Sequence, residues 1–355
     1  MEIKVQRIAH PKAKPASPDL LGFGKTFTDH MLLMDHAPGH GWQNPRIVPY
    51  GPLSLDPATS ALHYGQLIFE GLKAYRTAQG KTVLFRPRQN MKRLSRSAAR
   101  MGIPAIDEDF TLKAIAALIK LEEDWVPAAP GTSLYIRPFI LGTDNLLGVR
   151  PSENYTFCTI LSPSGPYFKS AITPVGIFVE ENQVRAVRGG TGSVKCAGNY
   201  AATLVSQEKA KAQGYAQVLW LDGVERKYVE EVGAMNIFFV IDGQVITPEL
   251  GDTVLPGITR DSALTLLKSW GAPVAERKIS IQEISDAHKT GKLQEAFGTG
   301  TAAVVSPISE LKWGESLLKI GDGGPGPVAQ KLYDNLIGIQ TCRLPDPFGW
   351  VYEVK

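Results

Sequence analysis

The stretch Ser162-Pro163-Ser164-Gly165-Pro166 limits what this chain can fold into more than any other. Proline lacks the amide donor that a helix or ladder needs, and glycine carries extra backbone entropy, so the stretch punctuates the chain. With 355 residues there is enough chain on each side for a core. The expected division is residues 1–165, a connecting segment 166–177, and residues 178–355. Before the break, strands and amphipathic helices mix. After it, short strands dominate, with Asp-Gly turns at Asp222-Gly223 and Asp242-Gly243. The predicted fold class is mixed α/β, or α+β: a small N-terminal α/β domain and a larger, β-rich C-terminal domain that also carries helices.

In the first part, residues 1–20 combine prolines with scattered charge, the pattern of a segment wrapped loosely over a surface. Residues 27–34 and 84–86 are predicted strands. Pro87 opens a helix with Met91, Leu94, Ala98 and Met101 on one stripe and Lys92, Arg93, Arg96 and Arg100 on the solvated side. A second helix over 112–125 turns Leu112, Ile115, Ala116 and Ile119 inward. Strands follow at 134–141 and 155–161, the first assigned to a sheet edge because Pro138 interrupts it. In the second part, strands are predicted at 218–221, 235–241 and 245–247. A helix follows Leu255-Pro256-Gly257-Ile258-Thr259, striped by Ala263, Leu266, Leu267 and Trp270, and a last helix covers 328–339.

The chemistry points to Gly189-Gly190-Thr191-Gly192-Ser193-Val194-Lys195-Cys196-Ala197-Gly198-Asn199-Tyr200. Four glycines in ten residues let a backbone turn tightly and approach something closely. A strand-like run over 183–188 precedes the loop. A helix follows it, capped by Asn199, with an apolar face at Ala201, Leu204 and Val205 and a stop at Gly214. A phosphate loop is excluded, because Val194 and Cys196 flank Lys195 where that motif needs glycine and Ser/Thr. Lys25 fails the same test, since Asp19 stands at the first glycine's position. A lysine among glycines suits a Schiff base with an aldehyde cofactor, although an isolated lysine is ordinarily a solvated surface group.

An aldehyde cofactor with a phosphate and a pyridine ring needs further partners. The amides of Ile258 and Thr259, at a helix start behind Gly257, suit an anion, as does the run Gly298-Thr299-Gly300-Thr301-Ala302. Each also fits a plain turn. Glu231 suits a protonated ring nitrogen, or equally a solvated strand end. Tyr200 suits the ring's phenolic oxygen, or a packed helix start.

Composition excludes several classes. A net charge of +3 with no long basic run leaves no nucleic-acid footprint. The three cysteines form no close pair, and His30, His36 and His40 lack ligand spacing and fit loop positions, so no metal is expected. No stretch looks like a signal peptide or membrane span, and a cytoplasmic protein without nucleic-acid or membrane partners is expected.

The motifs together resemble the branched-chain amino acid aminotransferases, enzymes of fold type IV that depend on pyridoxal 5'-phosphate (PLP). The resemblance runs through Phe23-Gly24-Lys25-Thr26-Phe27-Thr28-Asp29-His30-Met31, Leu62-His63-Tyr64, Phe69-Glu70-Gly71-Leu72-Lys73, Phe85-Arg86-Pro87, Asn90-Met91, Leu134-Tyr135-Ile136-Arg137-Pro138, the 189–200 loop, Glu231-Val232-Gly233-Ala234-Met235-Asn236, Leu255-Pro256-Gly257 and Phe297-Gly298-Thr299-Gly300-Thr301-Ala302. It covers nearly the whole chain in the family's order. It implies transamination of L-leucine, L-isoleucine and L-valine with 2-oxoglutarate, giving branched 2-oxo acids and L-glutamate. Lys195 is implied as the Schiff-base lysine, Glu231 as the partner of the ring nitrogen and Tyr200 of the phenolic oxygen. Arg93, Ile258, Thr259 and Thr301 are implied at the phosphate. Phe23, Tyr64, Phe69, Tyr135, Tyr167 and Ala302 are implied around the substrate, with Arg137 organising the pocket and Val149 reaching in from the second subunit of a homodimer. Ala234 stands where some relatives have threonine, which removes a hydroxyl near the substrate carboxylate or cofactor. Ala303 and Ser306 replace a Cys-x-x-Cys pair of some animal relatives, so a thiol switch is not expected.

Overall fold

A computed structural model describes residues 1–166 and 172–355. Two compact units emerge: Met1–Tyr167 with Val194–Ala197 and Gly338–Lys355, and Phe168–Ser193 with Gly198–Ile337. Residues 175–177, expected in the connecting segment, begin the strand Val175–Glu180.

In the first unit a nine-stranded sheet runs in the order Lys4–Val5, Gly41–Pro49, His30–Ala37, Tyr155–Ser164, Ser133–Gly142, Leu72–Arg76, Thr82–Phe85, Val351–Glu353, with Leu67–Phe69 also on Ser133–Gly142. The helices Pro87–Arg100 and Glu108–Leu121 bury the predicted stripes. Met91, Leu94, Ala98, Leu112, Ile115 and Ile119 share one core with Leu32, Ile136 and Phe157. Asp107 caps the second helix, accepting from the Phe110 amide at 2.9 Å. That helix stops at Leu121, and a separate 3-10 turn, Glu123–Trp125, completes the predicted span.

Three expectations change here. The N-terminal segment is pinned rather than loose: Lys4–Val5 joins the sheet, the Ile8 amide donates to His30 Nε2 at 2.9 Å, and the Lys12 amide donates to Asp29 Oδ1 at 2.8 Å. His30 and His36 lie in a strand instead of loops, His30 buried against Glu122. The strand holding Pro138 is interior, with neighbours on both sides. Its inner neighbour is broken between Phe69 and Leu72, and the Glu70 amide donates to Pro138 O across that break at 2.7 Å. Amide and carbonyl of one strand residue face the same neighbour, so proline's missing N–H faces the break and costs no ladder bond. The strand Tyr155–Ser164 also runs into the punctuating stretch, because Pro163 sits where that strand has a single paired neighbour.

In the second unit six strands close into a barrel: Val229–Val232, Gln217–Leu221, Val175–Glu180, Val304–Trp313, Leu293–Gly300 and Met235–Ile241, the last pairing back to the first. Gln244–Thr247, Val274–Glu276 and Ser316–Lys319 extend it. Asp242 and Gly243 take φ of 52° and 78°, the left-handed turn the Asp-Gly pair foretells. Ile258–Ser269 and Ile281–Lys289 pack as helices.

Gly192, in the 189–200 loop, is required by space. A Cβ there would lie 2.6 Å from Ala186 Cβ and from Thr253 Cα and O. Gly192→Ala is expected to cost at least about 1–3 kcal/mol of stability, seen as a lower urea midpoint at unchanged slope.

Candidate active site

Lys195 sits in the first unit, on the short segment Val194–Ala197. Its carbonyl accepts from the Phe69 amide at 3.0 Å, its own amide donates to Ser97 Oγ at 3.0 Å, and Cys196 bridges to Ile68. With the backbone held from both sides, Nζ comes to rest over the Phe69 ring, 4.8 Å from its centroid, within reach of the ring's negative face. The Arg137 guanidinium lies 4.8 Å from the same centroid and 5.3 Å from that of Tyr135, and its Nη2 donates to the Tyr135 hydroxyl at 2.9 Å. Phe23 meets Tyr135 edge-on with centroids 4.9 Å apart. A Cβ on Gly71 would fall 2.2 Å from the Tyr135 hydroxyl oxygen, so the ring's placement demands that glycine.

Arg93 belongs with this group. Helical periodicity puts it on the solvated face, yet it is 5% exposed, because Glu70 (0% exposed) reaches into the strand break and takes its guanidinium. The Tyr64 hydroxyl donates to Leu147 O, and Val149 is 84% exposed. Tyr167 lies outside the described residues. Lys73, opposite Tyr135 in the sheet, has its ammonium pushed down to about 8 by burial.

The second unit holds the remaining residues. Glu231 is buried on Val229–Val232, accepting from the Leu255 amide at 2.7 Å through Oε1 and ion-paired to Arg185 Nε, 3.2 Å from Oε2. Its neighbour Glu230 points to the other face, as strand alternation requires. There Glu230 lines a cavity of about 360 Å³ that takes in none of the expected site residues, and burial pushes its carboxyl up. Asn236 pairs with Glu231 on one side and Thr299 on the other, and its Nδ2 donates to Leu255 O at 2.8 Å. One short network thus ties Glu231 to the Gly257 turn and to the strand leading into Thr301 and Ala302. Tyr200 is half-buried on the helix Ala197–Ala201, and Ala234 is exposed in a turn.

Two local expectations around the loop are corrected. Residues 183–188 form no strand; Arg185 is buried there to reach Glu231 and Gly192 O, which imitates strand alternation. Asn199 does not cap: its side chain bonds Thr191, donating to O at 2.7 Å and accepting from Oγ1 at 2.8 Å. The helix is interrupted at Thr203, whose hydroxyl turns back to Tyr200 O, and Leu204 and Val205 of the expected apolar face are exposed. Glu70, Ser97 and Arg185 escape sequence reasoning. The available signal for Glu70 was a carboxylate set between apolar Phe69 and Gly71-Leu72.

The family described as amino-transferase class IV matches residues 67–311. The chain belongs to it. "Branched-chain-amino-acid aminotransferase 2" of Bacillus subtilis is 54% identical over 99% of this chain and 97% of its own length. The branched-chain-amino-acid aminotransferase of Mycolicibacterium smegmatis is 47% identical over 94% and 92%. Among solved structures, the Escherichia coli branched-chain amino acid aminotransferase superposes at a TM-score of 0.75 with 27% identity, covering 92% of this chain and 99% of that one. The T.th. enzyme with pyridoxamine 5'-phosphate gives 0.76 and 28% over 91% and 98%.

Class IV aminotransferases use PLP, and two features of the second unit fit its phosphate. The helix Ile258–Ser269 starts at Gly257 with no side-chain cap, leaving its first amides to an anion. A Cβ on Gly257 would lie 2.0 Å from Asn236 Oδ1, so the turn admits glycine alone.

Proposed function

We propose that this class IV aminotransferase transfers the amino group of L-leucine, L-isoleucine and L-valine to 2-oxoglutarate, giving branched 2-oxo acids and L-glutamate. The observation that carries the reading is the delivery of Lys195 Nζ to the Phe69 ring beside Arg137 and Tyr135. The names of the half-identical relatives agree with it.

PLP supplies the carbonyl that captures the amine and the electron sink that stabilises the substrate carbanion. Lys195 is assigned to hold the cofactor covalently and then to carry the proton at the substrate carbon through Nζ. Glu231, held by Arg185 and the Leu255 amide, is assigned to keep the ring nitrogen protonated, and Tyr200 to donate to the phenolic oxygen. Arg93, the amides of Ile258 and Thr259, and Thr301 are assigned to the phosphate. Phe23, Tyr64, Phe69, Tyr135, Tyr167, Ala234 and Ala302 are assigned to the substrate, with Arg137 orienting the Tyr135 hydroxyl. A cytoplasmic homodimer in which Val149 enters the partner's site completes the proposal. The exposed apolar side chains of Leu62, Leu147 and Val149 support the association of two copies. Among the described residues no helix is long and apolar enough to cross a membrane.

Selectivity tests the reading. An apolar pocket discriminates one methylene by only about 1–3 kcal/mol, so leucine, isoleucine and valine should lie close together in kcat/KM, with alanine clearly poorer. Aspartate should fail, because its short carboxylate would be desolvated without a partner. If aspartate rivals leucine, the branched-chain assignment is wrong.

A further inference from the structure

We infer that Glu70 is a positioning residue for the reaction proposed above: a buried anion that clamps the Arg93 guanidinium and sets the electrostatic field at the Lys195 nitrogen. The break that Pro138 tolerates in the sheet is what admits this carboxylate, fully buried, beside Phe69. Arg93 Nε donates to Oε1 at 2.7 Å and Nη2 to Oε2 at 2.8 Å, the two-pronged pairing that fixes a guanidinium in one plane. Asn90 Nδ2 at 2.8 Å and the Gly71 amide at 3.2 Å fill Oε2 further. Glu70 is therefore anchored independently of Lys195. Lys195 in turn is anchored to the residue next to it, through the Phe69 amide and ring.

Charge ties the three groups. Burial raises the Glu70 carboxyl, but Arg93 and Lys195 outweigh it and hold the group below its ordinary range. The attraction is mutual, so the same carboxylate favours a proton on the Lys195 nitrogen. Arg96, one turn along, is pulled down by burial and by Arg93 and raised by Glu70, which places it within the same field.

The test is a pH titration of the visible absorbance of the cofactor-loaded protein, which reports the protonation of the lysine-linked nitrogen. Glu70→Gln should move the midpoint down by about one unit or more, the usual effect of losing an adjacent opposite charge. Glu70→Asp keeps the charge and should stay with the unsubstituted protein even if its stability falls. A purely structural Glu70 would leave the Glu70→Gln midpoint in place. A folded, coloured Glu70→Gln protein with an unmoved midpoint overturns the inference. Should that variant fail to fold, a Glu70→Asp midpoint displaced by as much as a unit overturns it instead. If the unsubstituted protein carries no chromophore on Lys195, the proposed function itself falls, and this inference with it.

Discussion

Lys195→Ala is expected to lower kcat for L-leucine by about 10⁴-fold or more, since one side chain is asked both to hold the cofactor and to move the proton. Alanine removes Nζ and leaves the backbone anchors at Phe69 and Ser97 untouched. The fold should therefore persist, and the phosphate site should still take up added PLP. Two measurements check this. Borohydride treatment of the unsubstituted protein should fix the cofactor to Lys195, and the variant should show no multiple turnover with L-leucine and 2-oxoglutarate. Sustained turnover by the variant would place the nucleophile at another residue.

Glu231→Gln is expected to cost between about 10- and 1000-fold in kcat, following the roughly 1–3 units by which an opposite charge shifts its partner's pKa. Glutamine keeps the volume and can still accept from the Leu255 amide, so the turn leading to Gly257 should survive. It cannot balance Arg185, which lies 3.2 Å away and is itself buried, and it cannot hold a proton on the ring nitrogen. Cofactor content, read from the visible spectrum, should stay close to that of the unsubstituted protein while turnover falls. Near-normal turnover would reduce Glu231 to the counter-ion of Arg185. The matching change at Glu230, which faces the separate cavity, serves as the control.

Much of the local structure was legible because it depends on neighbours in sequence. The helix after Pro87, the strand Met235–Ile241 and the Asp242-Gly243 turn follow from periodicity and φ preference alone. Local pattern misleads where a residue's environment is set by distant chain. Residues 183–188 alternate like a strand because Arg185 turns inward to a glutamate on another element. Pro138 looks like an edge residue until the break opposite it is seen.

Local spacing and residue order are enough to specify the families of elements, the glycine loop that carries Lys195 and, through its motifs, the class of enzyme. Long-range packing is what buries Arg93, makes Glu70 its partner, and joins Glu231 rather than Glu230 to the Arg185 and Leu255 network. A solvated arginine and a buried one have the same helical phase. What separates them is whether a carboxylate from elsewhere in the chain arrives to offset the desolvation, and that is settled by packing alone.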